Sequence, residues 1–392
     1  MLNSADARKK CKQCGTCLTR CPVIQASPGV ARDLVGRLDA GQWVGEVLDR
    51  CTGCMSCDAF CPNDARPYAL LIERYSERYI ASGIPRVFQN AMPLRDGPNL
   101  WRSIEKWLTR EEKRNLALWS APPAGDEVLF LGCNQRLNPG IADTSLFRDL
   151  SVFTDPGCCC GEFYLRLGLV EEARAAAASL AGRFSELGIR KIIALCPACH
   201  NMIQNLAPSM LGVEFDVEVT SYVEWLALRV DRGEIVFSRR LEGTVTVQDP
   251  CHASGLGKKT IEEVRRLLGL IGLDTVEMET AGIEAECCGL SASLARYKLA
   301  DVVRAGASRA RQARRTRADF TCAWCNGCYL TMNMFRPFSP RMSPVYHLTE
   351  LILLATGEKP VRKVPWRSLQ LFAAALEATA RDGFRFVSSS GE

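Results

Sequence analysis

Glu286-Cys287-Cys288-Gly289 is the stretch of sequence that decides the fold. Neighbouring cysteine side chains seldom point at one tetrahedral metal ion without distorting the backbone, whereas several irons of one cluster lie within reach of both sulfurs. Cys251 precedes this stretch, and Cys325-Asn-Gly-Cys328 follows it. The set therefore predicts an iron–sulfur site rather than a simple single-metal site.

The same arrangement occurs earlier in the chain, as Cys133, Cys159-Cys160-Gly161 and Cys196-Pro-Ala-Cys199. Between the double cysteine and the following CxxC motif lie 35 residues in the first copy and 36 in the second. A motif that occurs twice at nearly equal spacing indicates an internal repeat. We therefore predict two similar lobes whose cysteine-bearing loops face each other.

Two further cysteine runs open the chain, each with the spacing C-x2-C-x2-C-x3-C-P and with 29 residues between them. They consist of Cys11, Cys14, Cys17 and Cys21, and of Cys51, Cys54, Cys57 and Cys61. This spacing is typical of ferredoxins with two cubane [4Fe–4S] clusters, in which the fourth cysteine of each run ligates the other cluster. We therefore predict that Cys61 joins the first run and Cys21 the second. A zinc site would use two CxxC pairs, so the third cysteine and the Cys-Pro of each run argue against zinc.

The pattern of apolar residues divides the chain into two kinds of structure. Residues 31–38 and 44–48 have helical periodicity, as do charged segments near residues 103–114, and residues 121–126 are typical of a linker. After the linker, short apolar runs lead into cysteines and alternate with long helices near 171–187 and 300–315. The predicted fold is a multidomain α+β protein: a helical ferredoxin-like domain in residues 1–120, α/β cysteine-rich lobes in 127–240 and 241–360, and a helical tail in 361–392.

The second lobe offers two CxxC motifs, Cys322-Ala-Trp-Cys325 and Cys325-Asn-Gly-Cys328. Aligning Cys196-Pro-Ala-Cys199 with the latter keeps strand, loop and helix in phase in both lobes. Residues 319–324 then match the strand at 191–195, where side chains alternate between the two faces. This alignment predicts that Cys322 lies within the strand as a spare thiol.

Composition limits the classes of protein that fit. Apolar residues at 47% and charged residues at 24% are ordinary for a globular protein, but twenty cysteines are far too many for one without metals. The N-terminus has no apolar signal core, and disulfide scaffolds are usually shorter, so we expect a reducing, cytoplasmic location. A net charge of +5 does not indicate nucleic-acid binding. No run reaches the roughly 18 apolar residues of a membrane span, so we expect any membrane contact to go through a partner.

The whole sequence resembles the family of the heterodisulfide reductase D subunits, which are also seen as fusions of the C and B subunits. The resemblance rests on the two ferredoxin runs and on the motifs of the second repeat, which are Asp249-Pro-Cys-His252, Val276-Glu-Met278, Glu286-Cys-Cys-Gly289 and Cys325-x2-Cys328. The layout is also similar to iron–sulfur subunits of anaerobic glycerol-3-phosphate dehydrogenase and glycolate oxidase, and to subunits of larger flavin-linked assemblies.

The resemblance implies a non-cubane [4Fe–4S] cluster in each repeat, held by five cysteines and able to act on a disulfide. Carried over by position, the second site is Cys251, Cys287, Cys288, Cys325 and Cys328, and the first is Cys133, Cys159, Cys160, Cys196 and Cys199. The first site departs from the pattern, because 25 residues separate Cys133 from Cys159 where 35 separate Cys251 from Cys287, and because Cys158 makes a triple cysteine. An altered cluster, another cluster type or a single metal stay open there.

Three functional hypotheses follow. In the first, the two cubanes take single electrons from a partner and pass them to one or two non-cubane clusters for disulfide or thiol redox chemistry, with His252 beside Cys251 as a candidate proton donor. In the second, the chain only relays electrons to a flavoprotein or quinone partner. A zinc-stabilised scaffold is a third. No dinucleotide fingerprint follows a strand, so any flavin or nicotinamide belongs to a partner, a flavoprotein or a membrane cytochrome or quinone subunit.

Three further features have two interpretations each. Trp101, Trp107 and Trp119 lie in the connector, where we expect packing between domains rather than partner docking. The arginine-rich segment 304–317 is expected to be a solvated helix face, and the alternative is an attraction for an anionic substrate or an acidic partner. Residues 365–380 have the pattern of an amphipathic helix, for packing against another domain or a partner.

Overall fold

The computed structural model describes Leu2 and residues 5–387 of the 392-residue chain, so residues 388–392 of the predicted tail lie outside the described residues. Its N-terminal part is helical, as predicted. The apolar residues of the segment between the two cysteine runs recur at helical spacing, and Ala31, Leu34, Val35 and Leu38 are all buried on one side of their helix. The helices are α1 (Ala5–Lys10), α2 (Thr16–Thr19), α3 (Pro28–Asp39), α4 (Gly45–Leu48), α5 (Ser56–Ala59), α6 (Pro67–Ser82), α7 (Leu100–Glu105) and α8 (Arg110–Trp119).

A short strand and a tight helical turn lie between α6 and α7. The strand is β1 (Ile84–Pro85), and the turn is a 3-10 helix at Arg86–Ala91. Of the connector tryptophans, Trp101 is buried and donates its indole N–H to the backbone oxygen of Cys133 at 2.8 Å. The expectation of domain packing is wrong for Trp107, whose side chain is 40% exposed.

The first lobe is a four-stranded parallel sheet with the strand order β3-β2-β4-β5. Its central strands are apolar because helices cover both faces of a parallel sheet, and Val128, Leu129 and Phe130 are fully buried. The elements are β2 (Glu127–Phe130), α9 (Gly132–Gln135), β3 (Ser151–Phe153), α10 (Glu162–Leu167), α11 (Val170–Glu186), β4 (Lys191–Ala194), α12 (Pro197–Asn201), β5 (Glu218–Ser221) and α13 (Tyr222–Asp231). Shorter 3-10 turns lie at Pro139–Ile141 and Ser145–Phe147, and a π-helix at Met202–Leu211 continues α12.

The second lobe repeats this topology, with a parallel sheet of order β7-β6-β8-β9. In each lobe the first strand is paired with the second and third, and the third is paired with the fourth, which confirms the internal repeat. The elements are β6 (Thr244–Gln248), α14 (Ala253–Leu256), α15 (Lys258–Leu270), β7 (Asp274–Thr275), α16 (Leu290–Arg296), α17 (Ala300–Thr316), β8 (Phe320–Ala323), α18 (Asn326–Phe335), β9 (Val345–His347) and α19 (Leu348–Ala355). Short 3-10 turns lie at Gly282–Glu284 and Arg336–Phe338.

The tail forms α20 (Val364–Asp382) and β10 (Phe386–Val387), which return to the N-terminal part of the chain. The strand β10 pairs antiparallel with β1. On α20, the buried guanidinium of Arg367 lies 3.0 and 3.1 Å from the two carboxylate oxygens of Glu112 on α8. The helical prediction for residues 365–380 is therefore confirmed, and the buried side of this helix packs against the connector and α18.

The basic helix α17 differs in one respect from the predicted solvated face. Arg304, Arg311, Arg314 and Arg315 are exposed, but Arg309 is completely buried. Its guanidinium donates to Gln248 at the end of β6 and to the backbone oxygen of Thr280. Among the described residues, no helix combines the length and apolarity that crossing a bilayer requires.

Candidate iron–sulfur centres

The two N-terminal cysteine runs form two groups, and each group contains the last cysteine of the other run. Burial raises the pKa of Cys17 to about 12, and the nearby thiolate of Cys61 is the next cause. Burial raises the pKa of Cys21 as well, with the thiolate of Cys54 as the next cause. Cys61 therefore lies with the first run and Cys21 with the second, the exchange that the sequence predicts.

Backbone N–H groups point at the sulfurs of the second run, where Gly53 donates to Cys51 and Ala65 donates to Cys61, both at 3.3 Å. Hydrogen bonds of this kind to cluster sulfurs stabilise the reduced, more negative state of an iron–sulfur centre. The two groups of cysteines are also neighbours. Burial is the largest cause of the raised pKa of Cys57 in the second run, and the thiolate of Cys17 in the first run is a smaller one.

In the second lobe, five cysteines form a continuous series of thiol contacts, in the order Cys251, Cys287, Cys288, Cys328 and Cys325. Cys251 follows β6 and Cys325 follows β8, so both come from the carboxyl ends of parallel strands, where α/β proteins hold ligands. Hydrogen bonds from Cys287 and Cys328 lower the pKa of Cys288 well below its usual value. A thiol whose pKa is low is available as the thiolate that binds iron.

In the first lobe, the same order of contacts recurs in Cys133, Cys159, Cys160, Cys199 and Cys196. The sulfurs of Cys133 and Cys159 are 3.7 Å apart. The shorter spacing and the extra cysteine therefore leave the relative placement of these five residues unchanged. Cys158 lies to one side, and burial raises its pKa to about 11, with Asp155 as the next cause.

The glycine after each double cysteine explains how two adjacent cysteines reach one site. Gly161 and Gly289 have φ values of +90° and +111°, which residues with a side chain rarely adopt. A Cβ atom would lie 2.5 Å from the oxygen of Ala173 at Gly161, and 2.7 Å from that of Val302 at Gly289. In each case the glycine N–H donates to the first cysteine of the pair, at 3.4 and 3.2 Å. Both lobes thus need glycine at this position.

The two five-cysteine sets face each other across a common cavity of about 50 Å³. Its lining includes four cysteines of each lobe, namely Cys133, Cys160, Cys196 and Cys199, and Cys251, Cys288, Cys325 and Cys328. The structure thus brings together the loops that the internal repeat predicts to face each other.

Cys322 lies apart from the other cysteines of its lobe. It is completely buried in β8, where it pairs with Val247 of β6 and Tyr346 of β9. Burial raises the pKa of its thiol, and the charges with the largest effect on this pKa are those of Arg265 and Asp249. Neither charged residue belongs to the cysteine set, so this placement favours the register in which Cys325 and Cys328 are the CxxC pair.

Arg166 connects the ferredoxin-like part of the chain with both lobes, a role that no sequence pattern indicates. Its side chain is 2% exposed and donates to the backbone oxygen of Gly53, between Cys51 and Cys54. Its Nη2 lies 3.4 Å from the sulfur of Cys251 and 2.9 Å from Nε2 of His252. Glu162, one helical turn earlier on α10, pairs with the same guanidinium. The spacing of Glu162 and Arg166 shows that they share a helix face, but only the tertiary structure shows that this face meets the other lobe.

His252 is buried among polar groups rather than open to solvent. Burial lowers its pKa to about 3. Its Nε2 lies 3.0 Å from Glu162, and its Nδ1 lies 3.2 Å from the side-chain nitrogen of Asn201. His200, which follows Cys199 in the first lobe, is also buried and lies against Gln204. The two histidines therefore have different surroundings, and only His252 contacts the junction at Arg166.

The cysteine sets fit the cubane clusters that the N-terminal spacing predicts and the five-cysteine clusters that the family resemblance implies. The donors are all sulfur, they come in sets of four and five, and glycine N–H groups point at the first sulfur of each double cysteine. Within the described part of the chain, no three Cys, His, Asp or Glu side chains are arranged to hold a single metal ion.

Comparison with protein-family models gives the class of the protein. A 4Fe-4S dicluster domain matches residues 7–65, and a cysteine-rich domain, CCG, matches twice, over residues 128–204 and 245–333. The chain is an iron–sulfur redox protein that contains an N-terminal dicluster domain followed by two cysteine-rich CCG regions. The predicted fold class is thereby confirmed.

Among known proteins, the chain is distantly related to the D subunit of dihydromethanophenazine:CoB–CoM heterodisulfide reductase. With the Methanosarcina barkeri protein it shares 25% identity over 390 residues, which cover 88% of this chain and 93% of that one. It is 27% identical over 360 residues to the B subunit of fumarate reductase (CoM/CoB) from Methanothermobacter marburgensis, covering 82% of this chain and 66% of that one. With EtfAB:quinone oxidoreductase of Syntrophomonas wolfei it shares 26% identity over 265 residues, covering 62% and 36%.

Proposed function

We propose that this chain is the subunit of a redox complex in which disulfide or thiol chemistry takes place between the two cysteine-rich lobes. The observation that carries the proposal is the pair of five-cysteine sets that face each other across one cavity. Each set has the composition that the family resemblance associates with a non-cubane [4Fe–4S] cluster. Such a cluster, when bound, supplies electrons and an iron site for sulfur. The distant similarity to the D subunit of heterodisulfide reductase supports this reaction class.

The placement of Arg166 supports the dicluster domain as the source of electrons. Its guanidinium contacts both the backbone between Cys51 and Cys54 and the sulfur of Cys251. The group that contains Cys51 is therefore adjacent to the second lobe. We assign Arg166 as a positioning residue that keeps this group and Cys251 in a fixed relation.

His252 has two roles in the proposal. Its contacts with Glu162 and Arg166 support a positioning role, because a neutral imidazole in this network keeps the loop after Cys251 in place. Proton donation by His252 to a leaving thiolate stays a prediction. Cytoplasmic location, attachment to a membrane through a partner, and the boundaries of the four segments also stay predictions.

Metal content is the first test. Anaerobically purified protein should contain iron and acid-labile sulfide beyond the roughly eight irons of two cubanes. Iron that stops at this level, with zinc making up the difference, would refute the proposal for both lobes and support the zinc scaffold.

Activity is the second test. Given a strong reductant, the purified protein should reduce a small disulfide such as hydroxyethyl disulfide, and Cys288→Ala should abolish this while the cubane signals in the EPR spectrum remain. Cys158→Ala is the matched control, since Cys158 is a buried cysteine outside the series of contacts.

The second candidate function is electron relay alone, to a flavoprotein or quinone partner. The similarity to EtfAB:quinone oxidoreductase over 62% of this chain supports it. Reduction of a quinone or flavoprotein by a loaded protein that leaves every disulfide unreduced would favour the relay over disulfide chemistry.

A further inference from the structure

An apolar cavity of about 360 Å³ lies beside the cysteine sites, between α7, α17, α18, α20 and the turn at Arg86–Ala91. Its walls include Trp101, Phe163, Leu294 and Leu330. The volume is within the range of about 300–1,000 Å³ that is usual for small-molecule sites, which are mostly apolar with a few placed polar groups.

The inner end of this cavity is formed by residues next to the predicted ligands of both lobes. Asn134 follows Cys133, Leu290 follows the double cysteine and its glycine, and Gly327 lies within the CxxC motif of the second lobe. These residues, with Phe163 and Leu294, also line the cavity between the two cysteine sets. One layer of side chains therefore separates the apolar cavity from the cysteines.

The outer end opens to the surface through apolar side chains. Val303, Phe372 and Leu376 line the cavity and are 54%, 44% and 56% exposed. The exposed apolar side of α20 continues beyond this opening to Leu369 and Trp366. Water-soluble ligands gain little from such an opening, whereas an apolar molecule gains roughly 25 cal/mol per Å² of buried apolar surface.

Asn134 provides a polar group at the inner end. It is 8% exposed, and its backbone oxygen accepts a hydrogen bond from Asn326. Its side chain lines both this cavity and the cavity between the cysteine sets, and no hydrogen bond among the described residues involves its carboxamide. Its N–H₂ group suits a carbonyl oxygen of a ligand that lies in the cavity.

The geometry points to an outer-sphere electron carrier as the occupant: we propose that the cavity binds a lipophilic quinone. Its ring would lie against Asn134, and its apolar chain would leave past Val303 and Leu376. A disulfide substrate has to contact the cysteine-bound site, and the layer of Phe163, Leu290 and Leu294 prevents this, whereas electron transfer does not require contact. This site lies apart from the disulfide chemistry proposed above, and each proposal stands or fails alone.

Equilibrium dialysis tests the proposal without reference to activity. Oxidised, cluster-loaded full-length protein is dialysed against decylubiquinone, a fully substituted quinone that does not alkylate thiols. The expected result is saturable binding near one quinone per chain. Ala375→Trp fills the cavity mouth on α20 and should weaken binding at least tenfold. Ala373→Trp is the matched control, because Ala373 is exposed on the same helix and does not line the cavity, and binding should stay within twofold of wild type.

Equal iron content and equal circular dichroism of the two variants show that both have folded. Absence of saturable binding to wild type, or equal binding by both variants, overturns the proposal. The proposal is also overturned if an uncharged dialkyl disulfide displaces the quinone at a lower concentration than a second quinone does. The cavity would then bind the apolar part of a disulfide substrate. The rate at which Ala375→Trp reduces hydroxyethyl disulfide is measured separately. A wild-type rate supports the proposed disulfide chemistry whatever the result of the quinone-binding test.

Discussion

Substitution of single cysteines in the second lobe separates ligands from spare thiols. Cys322 is completely buried in β8 beside Arg265 and Asp249, whereas Cys325 and Cys328 lie in the series of thiol contacts that includes Cys288. Cys328→Ser or Cys325→Ser should therefore remove or convert the second-lobe cluster, with a loss of up to about four irons from about sixteen per chain. Cys322→Ser should keep all of them, at a cost of about 1–3 kcal/mol for the buried hydroxyl.

The assay combines iron and sulfide content of anaerobically reconstituted protein, the EPR spectrum of each reduced variant, and denaturant unfolding. Cys158→Ser in the first lobe is the matched control, because it too is a buried cysteine outside the series of contacts. If Cys322→Ser loses the cluster and Cys328→Ser keeps it, the register is wrong by three residues. The site would then be Cys251, Cys287, Cys288, Cys322 and Cys325.

Three further predictions follow from buried groups. Arg166→Gln leaves the carboxylate of Glu162 buried without its partner, which should cost about 3–5 kcal/mol of unfolding free energy. The double variant Glu162→Gln/Arg166→Gln should recover most of this loss. A loss below about 1 kcal/mol in the single variant would contradict the pairing. Burial lowers the pKa of His347 to about 3, so below pH 6.5 the unfolded chain binds a proton at this residue that the folded chain does not. This group should contribute a fall in stability of about 1.4 kcal/mol per pH unit from pH 6.5 towards 3, so the slope measured for His347→Gln should be smaller by that amount. Gly289→Ala places a Cβ 2.7 Å from the oxygen of Val302, so it should lose the second-lobe cluster, as read from iron content, while Gly182→Ala, at an open position within a helix, should retain it.

The sequence predicts the repeat and its cysteines because both depend on local spacing. The strands that precede Cys196 and Cys325 lie within one or two residues of the predicted runs 191–195 and 319–324. What could not be predicted depends on contacts between distant segments. Nothing local shows that the first lobe supplies Arg166 to Cys251 of the second, or that Arg309 on a basic helix is buried against Gln248.

The packing partner of the tail helix could not be predicted from periodicity, for the same reason. An amphipathic pattern in residues 365–380 predicts a helix with one apolar side, and the structure has that helix. The surface against which it packs includes Glu112, 255 positions earlier in the chain, whose carboxylate pairs with Arg367. A partner across such a distance is not encoded in any local pattern.

The return of the tail to the N-terminal connector has a consequence for the order of assembly. The pairing of β10 with β1 and of Arg367 with Glu112 forms only after almost the whole chain has left the ribosome. Contacts between such distant residues form late, because a long loop must close first. Until then α7, the turn at Arg86–Ala91 and α18 lack the cover that α20 provides. The apolar cavity that these elements enclose together with α20 is therefore completed only when the last helix docks.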